Sequence, residues 1–165
     1  APTNGQVLAY SSANARYEAT TPSGGGGKVL QVKTFGSGSQ LSLQASTPIY
    51  LGSFPQMVIT PASTTSKILI RFSLSGIFVQ NNHAFRYQLV RMTNSAVLIE
   101  GRRDFGTSAV QNIVTFDFLD SPNTTSLIEY GIYLGATSLT NVFLNYLVNS
   151  VNQGYSSVTL MEIAP

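Results

Sequence analysis

The most constraining feature of the sequence is an alternating run at 67–77, KILIRFSLSGI. Ile68, Ile70, Phe72 and Leu74 fall on one side of an extended chain. Lys67, Arg71, Ser73 and Ser75 fall on the other, with Leu69 the exception. Strand side chains alternate with a period of two, so this pattern predicts a strand with one face buried and the other wet or paired.

The same reading repeats along the chain. Apolar or alternating stretches at 29–35, 40–45, 49–51, 57–59, 85–92, 96–100, 110–119, 127–134, 142–148 and 158–163 are separated by Gly, Pro, Asn and Ser clusters. Pro55 and Pro61 bracket the piece at Met57, as expected where proline is confined to strand ends and edges. Residues 101–108 read as a polar loop holding Arg102, Arg103 and Asp104. Capped stretches with apolar residues at three- and four-residue spacing are absent. About nine or ten strands with regular turns predict an all-β jelly-roll sandwich, with a closed up-and-down barrel as the alternative.

Composition narrows the functional classes. Charged residues make up 10% of the 165 residues, well below the roughly 25% of an average soluble domain. A lone subunit with so few charges has a poorly protected surface, which predicts covering by other subunits. A net charge of +2, with no basic run longer than Arg102-Arg103, gives phosphates no electrostatic track, so no nucleic-acid partner is expected. No apolar run approaches the roughly 20 residues of a membrane-spanning helix, so no membrane insertion is expected. Cysteine is absent, which removes disulfides, thiolate metal sites and cysteine nucleophiles together.

Residues 1–27 read differently from 28–165. Four consecutive glycines at 24–27 carry a large backbone entropy and no side chain to bury, so they predict a flexible joint. The segment before them is expected to be an extended arm that docks through Val7, Leu8, Tyr10 and Tyr17. The body is expected to be a single domain.

No catalytic constellation emerges. The only histidine, His83, falls in a turn, and no Gly-x-Ser-x-Gly elbow accompanies it. Glu100 and Glu129 are the carboxylates a glycosidase would have to bring together. Asp117 and Asp120 flank a turn and could either hold local backbone or share a cation. Gly24–Lys28 lacks the spacing and following helix of a phosphate loop. The sequence therefore calls for no catalytic residue, metal or cofactor. Arg102 and Arg103 are either a solvated turn or a contact to a ligand or neighbour. The stretch 142–148 is apolar on both faces except at Asn145, which requires cover on both sides. One cover is the core. The other is a loop of the same chain or a second subunit, with Tyr133, Phe143 and Tyr146 as the candidate contacts.

Two sets of motifs carry a resemblance. Asn4-Gly5-Gln6-Val7-Leu8-Ala9-Tyr10, then Arg16-Tyr17-Glu18, then Thr21-Pro22-Ser23-Gly24-Gly25, resembles connector segments of tailed-phage structural proteins, with Tyr17 in place of the usual Trp. Gly27–Val32, Ile59-Thr60-Pro61, Thr64–Ile70, Leu89-Val90-Arg91 and Val158–Ile163 are similar to C-terminal domains of marine and cyanobacterial phage proteins. The strand pattern also resembles the tumour-necrosis-factor-like jelly roll, whose members usually form trimers. The resemblance implies a non-enzymatic protein on the virion exterior. It would be a homotrimer decorating the capsid, with the arm on the major capsid protein or another virion protein. A tail-fibre head that binds a host-surface glycan or protein is the alternative. A carbohydrate-binding module or glycan-cleaving enzyme is a third reading, which exposed aromatics beside paired carboxylates would favour.

Overall fold

The structure, a computed structural model, describes residues 6–20, 28–52, 54–79, 84–104, 112–146 and 154–164. These form thirteen strands: β1 (Val7–Ser11), β2 (Arg16–Thr20), β3 (Val29–Ser37), β4 (Leu41–Gln44), β5 (Ile49–Tyr50), β6 (Met57–Ile59), β7 (Lys67–Val79), β8 (Phe85–Arg91), β9 (Ala96–Arg103), β10 (Asn112–Asp120), β11 (Ile128–Ala136), β12 (Asn141–Leu144) and β13 (Ser156–Ile163). No α-helix occurs among the described residues; a single 3-10 turn at Met92–Asn94 joins β8 to β9.

The body contains eleven strand segments where nine or ten were expected, and three long paths are each broken once. β3 and β4 both lie beside the β13–β12 path. β5 and β6 both pair with β11, and β12 and β13 both pair with β7. Merging each broken pair leaves eight antiparallel paths. The first sheet runs β3/β4, β13/β12, β7, β10, and the second runs β5/β6, β11, β8, β9. In chain order the paths pair first with eighth, second with seventh, third with sixth and fourth with fifth. That nesting is the jelly roll, as the alternation predicted, and not an up-and-down barrel, in which neighbours in sequence pair throughout.

The alternation in β7 holds to Leu74 and then changes phase. Ile68, Ile70, Phe72 and Leu74 are fully buried, and so are Ile77 and, nearly, Val79. The phase changes at Gly76, which has φ +60°, where the β7–β10 register steps from Val114 opposite Leu74 to Asn112 opposite Ile77. One extra residue on one strand is a bulge, and it turns every later side chain to the other face. Phe78 therefore points away from the core. The inward residues of β7 join Phe85, Leu89, Tyr130, Ile132 and Leu134 of the second sheet in one cluster. Each fully buried side chain of this size contributes about 1.5–3 kcal/mol.

A polar joint also ties the sheets. Asp120, at the end of β10, is 4% exposed and accepts hydrogen bonds from Arg91 of β8 and from the Tyr130 hydroxyl of β11, the latter at 2.7 Å. Burial, reinforced by Asp120, pushes the Tyr130 phenol well above its usual range. In the same row of the first sheet, on the other side of Ile68, the Glu162 carboxylate is buried. It accepts from Gln31 Nε2 at 2.6 Å and from the Ala62 N–H at 2.7 Å. Burial alone would raise its pKa, but these hydrogen bonds, with that of the Ser63 N–H, outweigh burial and hold it below the ordinary value.

Three segments differ from expectation. Residues 7–20 are not an extended arm: β1 and β2 pair with each other around a turn at 12–15, where Ala15 has φ +49°. Strand β9 runs on through Arg103, so Arg102 and Arg103 are strand residues rather than loop residues. Strand β12 ends at Leu144, because Asn145 has φ +58° and leaves the extended region. The glycine joint at 24–27, His83, Leu147 and Val148 lie outside the described residues, as do Asn4, Gly5 and 21–23 of the phage-like segment.

Candidate functional site

Three surfaces outside the core carry the residues singled out in the sequence. The first is the β1–β2 hairpin. Tyr10 is directly opposite Tyr17 and Leu8 opposite Ala19, so these four share one face. The two tyrosine rings meet edge to face at 5.4 Å. Leu8, Tyr10 and Tyr17 are 58%, 59% and 69% exposed. The other face is polar: Glu18 accepts from Arg16 Nε and Asn14 Nδ2, both at 2.9 Å. Val7 opens β1. Three of the four docking residues thus present bare apolar surface on a sheet separate from the body's two.

The second surface lies on the outer face of the first sheet. Phe143 is directly opposite Phe78, and both rings meet Tyr146, giving centroid distances of 5.6, 5.2 and 5.1 Å within the trio. All three are half-buried. The backbone beneath them is unusual. Asn145 is fully buried, donates from Nδ2 to the Ser37 and Ser39 carbonyls at 2.9 Å each, and accepts from the Ser156 hydroxyl at 2.6 Å. Its N–H donates to the Ser75 carbonyl, and the Tyr146 N–H to that of Gly76. A Cβ on Gly76 would lie 2.6 Å from the Tyr146 carbonyl oxygen and 2.7 Å from its nitrogen. Asn145 thus satisfies polar groups where β3/β4 and β12/β13 are interrupted, and the bare backbone of Gly76 lets Tyr146 close over Phe78.

The third surface is the outer face of the second sheet. Tyr133 lies here, between the buried Ile132 and Leu134, with its ring 5.5 Å from that of Tyr50 and its hydroxyl donating to Met92 Sδ at 3.6 Å. The three residues expected to form one contact are therefore split: Phe143 and Tyr146 stand together on one sheet, Tyr133 on the other. Arg102 and Arg103 end β9 on this second sheet, and Arg102 pairs with Asp104 at 2.7 Å. Phe78, Asn145 and Tyr50 went unassigned in the sequence. A glycine inside a strand pattern was the available signal for Phe78, since it marks a possible bulge. A lone Asn in an apolar run was the signal for the node.

The chemical alternatives resolve. Asp117 and Asp120 are three apart on β10 and so point to opposite faces. Asp117 pairs with Arg71 at 2.9 Å and Asp120 with Arg91, so they share no cation. The Arg71 guanidinium holds the Asp117 carboxyl below the ordinary carboxylate range. No group of three or more His, Cys, Asp or Glu side chains able to hold a metal occurs among the described residues. Glu129 lies four residues along β11 from Tyr133, whose row contains Glu100 through Gln88. At about 3.4 Å per residue the two backbones are ~14 Å apart along the strands, and the Glu100 carboxylate is turned further away, onto Arg86.

The fold is a jelly roll whose surfaces, among the described residues, carry exposed and half-buried aromatic side chains. No family model and no curated protein matches the chain. Among solved structures it is similar to the VP2 subviral particle of infectious bursal disease virus, at 14% identity over 96% of this chain, with TM-score 0.40. It is also similar to the Gx strain of the same virus, at 13% identity over 96% of this chain, with TM-score 0.35. The chain spans 37% and 44% of those two chains.

Proposed function

We propose that this chain is a non-enzymatic structural protein of a virion exterior, a trimer that decorates the capsid and is anchored by its hairpin. The observation that carries the reading is the hairpin's bare face. A two-stranded hairpin is marginal by itself in water, and this one leaves Leu8, Tyr10 and Tyr17 exposed. Docking on a second protein supplies the burial it lacks. The resemblance of 4–25 to tailed-phage connector segments supplies the class of that partner, a capsid protein. The aromatic trio at Phe78, Phe143 and Tyr146 is the proposed subunit contact, and the tumour-necrosis-factor-like resemblance supports three-fold closure. In a tail-fibre head, the second reading favoured by the same segment, the hairpin joins a stalk instead.

The test has two parts. Sedimentation of the purified chain at micromolar concentration should give a trimer, and Phe78→Ser with Phe143→Ser should give a folded monomer. The double variant Tyr10→Ser/Tyr17→Ser should remain trimeric and lose at least ~10-fold in retention on intact particles, the loss expected of aromatic anchors. A monomeric wild-type chain, or full occupancy of particles by the tyrosine variant, defeats the proposal.

A further inference from the structure

On the outer face of the second sheet one row is fixed by register. Tyr50 is opposite Tyr133, Tyr133 opposite Gln88, and Gln88 opposite Glu100. Directly opposed residues share a face, and four strands at about 4.8 Å spacing make the row about 14 Å long. Beside it, Arg86 stands directly opposite Arg102. Like charges directly opposed are destabilising. In a chain with only nine Lys and Arg, a crowded basic surface does not account for the pairing. Each guanidinium is held by a carboxylate: Arg86 Nη2 donates to Glu100 at 2.8 Å, and Arg102 to Asp104 at 2.7 and 3.0 Å. The Arg102–Asp104 pair is open to solvent, with side-chain exposures of 61% and 72%, so an incoming anion displaces Asp104 at little cost. A depression of about 540 Å³ lies here, lined by Arg86, Glu100, Gly101, Arg102 and Thr137.

We propose that this face binds an acidic oligosaccharide. Arg86 and Arg102 take a sugar carboxylate, Gln88 and Glu100 the ring hydroxyls, and the tilted rings of Tyr50 and Tyr133 the apolar side of a neighbouring sugar. The residue types match the ligand. Guanidinium forks fit a carboxylate, an amide both donates to and accepts from hydroxyls, and tyrosine offers an apolar ring with a polar tip. The platform is pre-shaped, which limits the ordering cost of binding. Tyr133 is fixed by Met92. Gly131 leaves room for Tyr50, whose ring would lie 3.0 Å from a Cβ there. This assignment goes beyond the assembly role and stands independently of it.

The experiment titrates a galacturonate trisaccharide, the neutral galactose trisaccharide and acetate into ¹⁵N-labelled full chain, with sedimentation of every sample. The acidic trisaccharide should shift the resonances of Gln88, Glu100, Arg102 and Tyr133. The neutral one should bind at least tenfold more weakly, and acetate should leave the Tyr133 resonance unmoved. Tyr133→Ala should lose binding with the subunit number unchanged. Arg102→Gln, at an exposed position that tolerates substitution, should lose the preference for the acid. The proposal is overturned by no shifts at millimolar trisaccharide, by acetate reproducing the full pattern, or by Tyr133→Ala changing the subunit number, which makes this face a protein contact. Failure of the trimer in the same sedimentation runs bears only on the assembly role.

Discussion

The two outer faces of the sandwich both carry aromatic side chains, but in opposite company. Phe78, Phe143 and Tyr146 touch one another above a backbone bent at Gly76 and Asn145. Tyr50 of the short β5 and Tyr133 of β11 stand in line with Gln88 and Glu100 and beside two opposed arginines. Around the trio the first face therefore offers apolar area with the Asn145 amide turned inward, which suits a second protein surface. The second offers ring faces with donors and acceptors beside them, which suits a hydroxyl-rich ligand. The same fold yields both because left-handed backbone at Gly76 and Asn145 brings the first set of rings together, while direct cross-strand register aligns the second.

The largest effect should come from the joint on which both faces depend. Asp120→Ala leaves Arg91 and Tyr130 without their buried acceptor and should cost about 3–5 kcal/mol in denaturant unfolding. A loss under about 1 kcal/mol means that the sheets are held by apolar packing alone. Next comes a change confined to the first face. Gly76→Ala forces a side chain into left-handed backbone and against the Tyr146 main chain, at about 2–4 kcal/mol. It should abolish the trimer while sparing ligand binding on the second sheet. If both are lost together, the faces are not independent.

Acid should act more gradually. The Glu162 carboxyl binds its proton less readily in the folded chain than in the unfolded one, so the ionised form favours folding. Its contribution is complete above the unfolded value of about 4.5 and is lost as pH falls through the lower folded value. The stability gap between the wild type and Glu162→Gln should therefore narrow between pH 6 and pH 3. Parallel curves would show that Glu162 does not titrate with folding. The smallest effect belongs to Arg71 and Asp117, an exposed pair on the first sheet's outer face. Asp117→Asn should leave the unfolding midpoint unchanged within error, because water screens such pairs. A resolvable drop would place that pair under a subunit.

The sequence by itself determined most of the body's strands and of their inward residues, and favoured the jelly roll over a closed barrel. Period-two alternation is local, and burying one face of each strand leaves few ways to stack two sheets. It also marked Phe143, Tyr146 and Tyr133 as surplus to a single core. Only the tertiary structure decided where these residues stand. The phase of β7 past Leu74 depends on a left-handed glycine packed against Tyr146, seventy residues away in sequence. Asn145 could be read as a polar interruption, but its partners at Ser37, Ser39 and Ser156 come together only once two strand paths are side by side. The opposed pair Arg86 and Arg102 is likewise a matter of register. Alternation assigns a residue to a face, while its neighbours across the sheet are set by turns and bulges that act at a distance along the chain.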